Sequence, residues 1–283
     1  MSEYSPEWLA LREPYDIAAR NAVVLDTVAS AFLGQATISV VDLACGTGAT
    51  LRAVRPHLPS HQSWTLVDHS LALLALVSPS PPANVTVTTI ALDLARDLKL
   101  ALDGPIDLVT TSALLDLVSL AWLDRLIAEV AARRLPFYGA LTYDGRAVAE
   151  PVVRHDLELL TGFNLHQRTD KGFGPALGPT AAAHAAKGFE EFGYAVVQGH
   201  SDWMFGPDDR AIQDALFAGW ADIGLQTTTL SQDQIAEWLN WRRTYLAQGR
   251  SKLQVGHVDI FAQPIGARCA LRSQSSSTSP PRL

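Results

Sequence analysis

Apolar positions in the first half of the chain follow two alternating periods. Short apolar runs typical of buried strands are each followed by a stretch with apolar residues at helical spacing. The strand and helix segments pair as ISVVDLA with GATLRAVRPHL, SWTLVD with SLALLALV, VTVTTIAL with DLARDLKLAL, and IDLVTTS with LAWLDRLIAEVAARR. A fifth strand-like segment, FYGALTYDG, follows. This alternation predicts an α/β fold, with a mostly parallel sheet and helices on both faces. A helix is also predicted from Pro14 to Phe32, and Ser119 is predicted to cap the helix that ends at Arg134.

The pattern changes after Asp144-Gly145. A mixed region with a polar, glycine-rich loop (His166 to Pro179) precedes a helix, a strand (AVVQGHSDW), two more helices and a last strand near His257 to Ala262. We therefore expect an N-terminal helical lid at 1–35 and one domain at 36–265 with cap insertions at about 147–193 and 206–250. The polar tail at 270–283 is expected to be disordered.

Composition and charge narrow the possible partners. The chain has 48% hydrophobic residues, enough for a large core, and a net charge of −7 without a Lys/Arg-rich run, which argues against nucleic acid and anionic membranes. Its two cysteines give neither metal-ligand spacing nor a disulfide framework, so no metal is expected. No apolar run approaches the ~20 residues of a membrane span. A cytoplasmic protein is expected.

The segment VVDLACGTGATLRAV carries the clearest chemical signal. Glycines after a strand let the backbone approach a ligand, and the following helix N-terminus favours an acidic group. A dinucleotide site has the pattern G-x-G-x-x-G, but the run from Gly46 reads G-T-G-A-T-L and lacks the third glycine. A purely structural turn is the simple alternative.

The segment resembles the first motif of the class I S-adenosylmethionine-dependent methyltransferases. That motif, acidic-x-Gly-x-Gly-x-Gly, is matched by Asp42-Leu-Ala44-Cys45-Gly46-Thr-Gly48, with Ala44 in place of the first glycine. The extra methyl group of Ala44 is expected to narrow the space through which the methionine part of the cofactor approaches.

Two further motifs follow on the next strands. Asp68 ends WTLVD about twenty residues beyond the glycines, and the resemblance implies that it accepts the ribose hydroxyls while His69 packs on the adenosine. Asp93 and Leu94 follow the third strand, where the family binds adenine through a side chain and the next backbone amide. Helix N-caps are the alternatives for Asp68 and Asp93. Three motifs in order favour S-adenosylmethionine over a dinucleotide.

The resemblance also implies a seven-stranded, mostly parallel, Rossmann-like sheet whose last strand is antiparallel and lies near the edge. Ligands would bind at the carboxyl ends of the strands. An N-terminal helix often covers the cofactor in this fold, so Tyr15 and Arg20 are candidates for binding its carboxylate. The predicted cofactor site comprises Tyr15, Arg20, Asp42, Ala44, Cys45, Gly46, Gly48, Asp68, His69, Asp93, Leu94 and Ser112.

The acceptor is expected beyond the fourth and fifth strands. Asp116 and Tyr143 are the candidate catalytic residues, and Arg146 is a candidate partner for a substrate carboxylate. An aspartate on a helix surface and an exposed turn arginine are the alternatives.

The loop after residue 165 suits a mobile lid whose His166, Gln167 and Lys171 contact the substrate. Its alternative is a surface loop without contacts. The cap helices are expected to form a lid, a homodimer surface, or both.

The Asn/Asp-Pro-Pro-aromatic and Pro-Cys motifs of nucleic-acid methyltransferases are absent. This absence favours a small-molecule acceptor, and the candidate bases favour O-methylation. A non-catalytic S-adenosylmethionine-binding protein and an NAD(P)-dependent oxidoreductase are the competing hypotheses.

Overall fold

A computed structural model describes residues 4–77 and 82–266, so the tail predicted to be disordered lies outside the described residues. The strands are β1 (Thr37–Leu43), β2 (His61–Asp68), β3 (Val85–Ala91), β4 (Leu108–Ser112), β5 (Phe137–Glu150), β6 (Tyr194–His200), β7 (Trp203–Phe205) and β8 (Lys252–Pro264). The α-helices are α1 (Pro6–Ala19), α2 (Ala22–Ala31), α3 (Ala49–Val54), α4 (Leu71–Leu74), α5 (Leu94–Ala101), α6 (Leu120–Ala132), α7 (Asp156–His166), α8 (Ala181–Glu191), α9 (Arg210–Thr227) and α10 (Gln232–Ala247). None of these helices is long and apolar enough to cross a membrane.

The described strands form one eight-stranded mixed sheet in the order β3-β2-β1-β4-β5-β8-β6, with the short β7 also pairing with β8. The pairs among β1 to β5 are parallel, whereas β8 is antiparallel to β5, β6 and β7. The predicted mostly parallel α/β sheet, with its antiparallel last strand near the edge, is confirmed, but its described part has eight strands where seven were predicted. β7 is an addition that the sequence pattern did not predict.

Apolar residues cover both faces of the sheet. Along β1, Ile38 and Val40 belong to one buried cluster, whereas Val41 and Leu43 belong to the cluster on the opposite face. Successive side chains of a strand point to opposite faces, so a strand buried on both sides reads as a continuous apolar run. This explains why the runs in the sequence located the central strands.

The N-terminal segment differs from the single helix predicted for Pro14 to Phe32. Two helices are present, and the first begins much earlier, after the N-cap Ser5. The break falls at Asn21, whose side chain accepts a hydrogen bond from Val24 N while its own N–H donates to Asp259 on β8. Docking onto β8 therefore redirects the chain, which helical periodicity cannot show.

The predicted cap Ser119 is confirmed, because its hydroxyl accepts a hydrogen bond from Trp122 N at the start of α6. The strand β5 continues past the expected change of pattern to Glu150, since β8 pairs with it as far as Lys252. Helix α8 packs on the sheet through Ala185 and Phe189. The first cap insertion therefore occupies a shorter stretch, between β5 and α8, than the 147–193 that the sequence predicts.

Helices α7, α9 and α10 form a cap around a third apolar cluster. Arg242 of α10 is fully buried in it, donates to the carbonyl of Pro151 (2.8 Å) and forms an ion pair with Asp156 at the start of α7. Asp156 also accepts a hydrogen bond from the indole of Trp238 (2.7 Å). A buried guanidinium needs such a partner, so this pair holds α7 and α10 together.

We expect Asp156→Ala to destabilise the protein by about 3–5 kcal/mol, because the buried guanidinium of Arg242 loses its carboxylate. The matched control is Asp214→Ala. Asp214 is the exposed partner of Arg243, which is next to Arg242 on α10, and its loss should lower the free energy of unfolding by less than about 1 kcal/mol. Urea unfolding followed by circular dichroism measures both. Equal losses in the two variants would contradict a structural role for the buried pair.

Candidate functional site

Two adjoining cavities lie at the carboxyl ends of the parallel strands. The first, here called the loop cavity, is bounded by the loop after β1, the ends of β2 and β4, and α1. The second, the cap cavity, lies between the ends of β4, β5 and β8 and the cap helices α7 and α9. Tyr4, Arg12, Ala113 and Lys171 line both. The two cavities therefore adjoin each other.

The loop after β1 turns sharply through left-handed backbone. Ala44, Gly46 and Gly48 have φ angles of 55°, 54° and 85°. Glycine adopts this region without penalty, whereas a side chain there costs about 1–2 kcal/mol. Ala44 thus stands in strained backbone where the resembling motif has glycine. Such strain concentrates at ligand-binding loops.

Asp68 joins this loop to the next strand. One carboxylate oxygen accepts the Gly46 N–H (2.9 Å) and the other accepts the Ser70 N–H (3.0 Å). Ser70, not Asp68, caps α4, so the N-cap alternative for Asp68 is wrong. The oxygen bound to Ser70 also lies 3.2 Å from Nδ1 of His69, whereas the oxygen bound to Gly46 keeps a lone pair that can accept a hydrogen bond from a ligand in the loop cavity.

Asp93 caps α5, the alternative that the sequence left open for it. Its carboxylate accepts a hydrogen bond from Ala95 N (3.0 Å) and pairs with Arg96 (3.1 Å). The neighbouring Leu92 and Leu94 line the loop cavity instead. Leu94 is the first residue of α5, and N–H groups of a first helical turn have no acceptor within their own helix.

The cap cavity contains a buried carboxyl group. Asp116 follows β4 in the short 3₁₀ segment Leu115–Leu117, and its Oδ1 has no hydrogen-bond partner among the described residues. Burial raises the pKa of Asp116 to about 6. Its acid–base equilibrium therefore lies near neutral pH, as general-base catalysis requires.

Tyr143 lies on the opposite wall of the cap cavity. Its hydroxyl donates to Asn164 Oδ1 (2.8 Å), and burial raises the pKa of the phenol. Because a neutral phenol with an engaged proton is a poor base, Asp116 is the better of the two candidates.

The comparison with known proteins agrees with this geometry. Residues 40–135 match the family model described as a methyltransferase domain. This part of the chain is a methyltransferase domain. No curated protein matches the sequence at a significant level.

Solved structures show a similar fold. A cyclopropane-fatty-acyl-phospholipid synthase-like protein from Lactobacillus casei superposes with a TM-score of 0.51 at 14% identity, over 88% of this chain and 98% of that chain. An S-adenosylmethionine-dependent methyltransferase from Thiobacillus denitrificans, in complex with S-adenosyl-L-homocysteine, gives 0.44 at 15% identity, over 92% and 99%. The cyclopropane synthase MmaA2 from Mycobacterium tuberculosis gives 0.42 at 10%, over 84% and 82%. At these identities the likeness concerns the fold alone.

Many of the predicted site residues of the methyltransferase domain and its cap line a cavity. In the loop cavity these are Ala44, Cys45, Gly46, Asp68, His69, Leu94 and Ser112. In the cap cavity they are Asp116, Tyr143, His166, Gln167 and Lys171, with Lys171 in both. Their ligand contacts stay predictions, but the fold brings them to one edge of the sheet.

Six predicted residues line neither cavity: Tyr15, Arg20, Asp42, Gly48, Asp93 and Arg146. Tyr15 donates its hydroxyl to Asp209 (2.8 Å), and Arg20 is buried behind the cavity against Tyr138 (3.2 Å) and Ser112 (3.4 Å). Neither is placed to bind a cofactor carboxylate.

Asp42 and Gly48 lie at the two ends of the loop after β1, at the end of the strand and at the start of α3. Asp42 is fully buried and accepts the hydroxyl proton of Thr110 (2.9 Å), and burial raises the pKa of its carboxyl to about 7. Gly48 is the N-cap residue of α3. Both are structural parts of the motif.

Arg146 is bound to acidic side chains instead of facing a substrate. Its guanidinium contacts Asp144 (2.5 Å) and Asp202 (2.8 Å), and also lies 3.0 Å from His200 Nδ1. These three partners are grouped closely enough to hold a metal ion, but the guanidinium already bridges them. The proposed pairing of Arg146 with a substrate carboxylate has no support in this arrangement.

Sequence reasoning assigned no role to Arg12 and His257, which also line the cap cavity. Arg12 is buried, pairs with Asp16 (2.9 Å) and lies 5.0 Å from the ring of Trp203. The i, i+4 spacing of Arg12 and Asp16 was a signal for their pair, but not for its burial. His257 lies within β8, and nothing in the strand pattern distinguishes it from a surface residue.

Proposed function

We propose that this chain is an S-adenosylmethionine-dependent methyltransferase that methylates a hydroxyl group of a small molecule. The observation that carries the proposal is the pair of adjoining cavities. One adjoins the glycine loop and Asp68, and the other contains the buried carboxyl of Asp116. A methyl donor and an acceptor need this side-by-side placement for an in-line transfer.

The loop cavity suits S-adenosylmethionine in shape and polarity. Asp68 lies where it can accept the ribose hydroxyls, while Leu73 and Leu92 offer an apolar surface for adenine. The N–H of Leu94, the first residue of α5, can donate to the adenine ring. Arg12, a buried cation that lines this cavity, takes the place of Arg20 and Tyr15 in binding the cofactor carboxylate.

Transfer of a methyl group to oxygen requires a position for the acceptor and a destination for its proton. When bound, S-adenosylmethionine supplies a methyl group on a positively charged sulfur, and transfer to the acceptor oxygen breaks that carbon–sulfur bond and leaves a neutral thioether. Asp116, as a carboxylate, takes the hydroxyl proton. Asp116 lines the cap cavity, which places its carboxyl group beside an acceptor held there.

The size and surroundings of the cap cavity favour a small acceptor. Its volume is about 400 Å³, within the range of small-molecule sites. The cap helices cover it, and the chain carries a net charge of −7. A nucleic-acid acceptor would require a basic surface to bind its phosphates.

We expect S-adenosylhomocysteine to bind with micromolar affinity, and Asp68→Ala to weaken binding about 100-fold, because hydrogen bonds to a charged group are lost. Asp93→Ala is the matched control and should change affinity less than threefold, since Asp93 lies outside the cavity. Calorimetric titration measures both. Binding of NADH in place of S-adenosylhomocysteine would contradict the cofactor assignment.

We expect Asp116 to titrate near pH 6, because its burial disfavours the charged form. The catalytic form is the carboxylate, so methyl transfer should fall as the pH drops below about 6 and level off above it. Carbon-13 NMR of labelled aspartate carboxyls measures the titration without an acceptor, and Asp116→Asn assigns the signal.

In Asp116→Asn the rate of methyl transfer should fall by about 10²- to 10⁴-fold, and the affinity for S-adenosylhomocysteine should not change. Asp124→Asn, at an exposed position of α6, is the control and should behave as wild type. A signal that titrates near pH 4, or full activity of Asp116→Asn, would show that Asp116 is not the base. Absence of label transfer to any acceptor would favour a non-catalytic binding protein.

A further inference from the structure

Aromatic rings form a continuous wall in the cap cavity. The ring centres of Trp220 and Phe163 are 5.8 Å apart, and those of Phe163 and Tyr143 are 5.5 Å apart. The chain of contacts continues to His257 (6.0 Å) and Trp203 (4.7 Å). All five residues line the cavity. Such a wall favours a flat ring, which can stack on it or meet it edge-on.

His257 presents a hydrogen-bond acceptor within this wall. Its Nδ1 lies 3.1 Å from the carbonyl oxygen of Val255, and because a carbonyl only accepts, Nδ1 carries the proton. Burial and the nearby charge of Arg12 lower the pKa of His257 to about 3, so the ring is neutral. Nε2 is therefore an acceptor, and it has no hydrogen-bond partner among the described residues.

The charges around the cap cavity disfavour a cationic ligand. Arg12 and Lys171 are cations, and Asp116 is the only carboxyl group among the lining residues. Burial, followed by the charge of Lys171, lowers the pKa of His166, which keeps that ring neutral at pH 7. The lining thus carries no excess of negative charge that would attract an ammonium group.

Lys171 is the cation that lacks a carboxylate. Arg12 has Asp16 as its partner, whereas no ion pair is formed by Lys171 within residues 4–77 and 82–266. Its ammonium group is held by the carbonyl of His166 (3.0 Å) and the hydroxyl of Thr169 (2.9 Å), and it also lies 3.2 Å from the ring nitrogen Nδ1 of His166. His166 lines the cap cavity but not the loop cavity. A residue that holds the ammonium group of Lys171 therefore belongs to the cap cavity, where we place the acceptor.

We propose that the acceptor is an aromatic hydroxy acid whose carboxylate binds Lys171 and whose ring lies against the wall from Trp220 to Trp203. The hydroxyl that is methylated meets Asp116, and a second donor on the ring meets Nε2 of His257. This inference rests on the proposed function, because it names the substrate class of the same site. A charge-assisted hydrogen bond to the half-buried ammonium supplies the selectivity for an acid.

The first test compares three ligands that differ in one substituent with a fourth that lacks both the aromatic ring and the hydroxyls. With the protein saturated by S-adenosylhomocysteine, calorimetry measures the affinities of 3,4-dihydroxybenzoate, neutral 3,4-dihydroxytoluene, cationic 3,4-dihydroxybenzylamine and the non-aromatic cyclohexanecarboxylate. We expect 3,4-dihydroxybenzoate to bind at least tenfold more tightly than each of the others. Equal or tighter binding of the toluene or the amine, or no binding of the acid at millimolar concentration, overturns the proposal.

The second test uses variants in the same assay. Lys171→Met should weaken binding of 3,4-dihydroxybenzoate at least tenfold and leave the affinities for 3,4-dihydroxytoluene and S-adenosylhomocysteine unchanged. Lys187→Met is the control, because Lys187 is exposed on α8. Loss of S-adenosylhomocysteine affinity in Lys171→Met, with acid binding retained, would assign Lys171 to the cofactor and overturn the proposal.

His257→Phe keeps a ring and removes the acceptor nitrogen. We expect it to weaken 3,4-dihydroxybenzoate severalfold and to leave benzoate, which has no hydroxyl donor, unchanged. Equal losses for both acids would overturn the assignment of Nε2. Binding of S-adenosylhomocysteine by each variant reports that it is folded. If the wild-type protein does not bind S-adenosylhomocysteine, the proposed function is wrong. If it binds S-adenosylhomocysteine but does not prefer 3,4-dihydroxybenzoate over the other ligands, only this inference is wrong.

Discussion

The hydrogen bond from Gly46 N–H to the carboxylate of Asp68 is the interaction on which the site depends. It joins the loop after β1 to the end of β2, next to the backbone hydrogen bond from Cys45 to Val67. The loop needs this support because Ala44 adopts left-handed backbone at a cost. The residue expected to bind the ribose is thus also the one that holds the loop in its binding conformation.

The two cavities depend on different parts of the chain. The loop cavity is built at the carboxyl ends of β1, β2 and β4, where parallel strands place their following loops at one edge. The cap cavity needs α7 and α9, whose arrangement depends on buried contacts such as the Arg242–Asp156 pair. Helix α1 closes both through Arg12. Most of the loop cavity is therefore independent of the cap helices that line the cap cavity.

Particular residues show how far sequence reasoning reached. Asp68 and Asp116 were predicted at the ends of strands, and the structure places both at the cavities. Arg20 and Arg146 were predicted for ligand carboxylates, but the fold gives them protein partners, Tyr138 for the first and Asp144 with Asp202 for the second. A sequence shows that an arginine is present. It does not show which side chain of the same protein binds that arginine in the folded structure.

The sequence by itself determined the α/β sheet and the glycine loop with its acidic partner, because these follow from local periodicity and from motifs whose parts are close along the chain. The antiparallel direction of the last strand was implied only by the family resemblance. The tertiary structure alone decided the composition of the cap cavity. His257 on β8, Trp220 on α9 and Lys171 in a loop meet only when the cap folds over the sheet. Their burial, their charges and the free Nε2 of His257 arise from that packing, which no local pattern records.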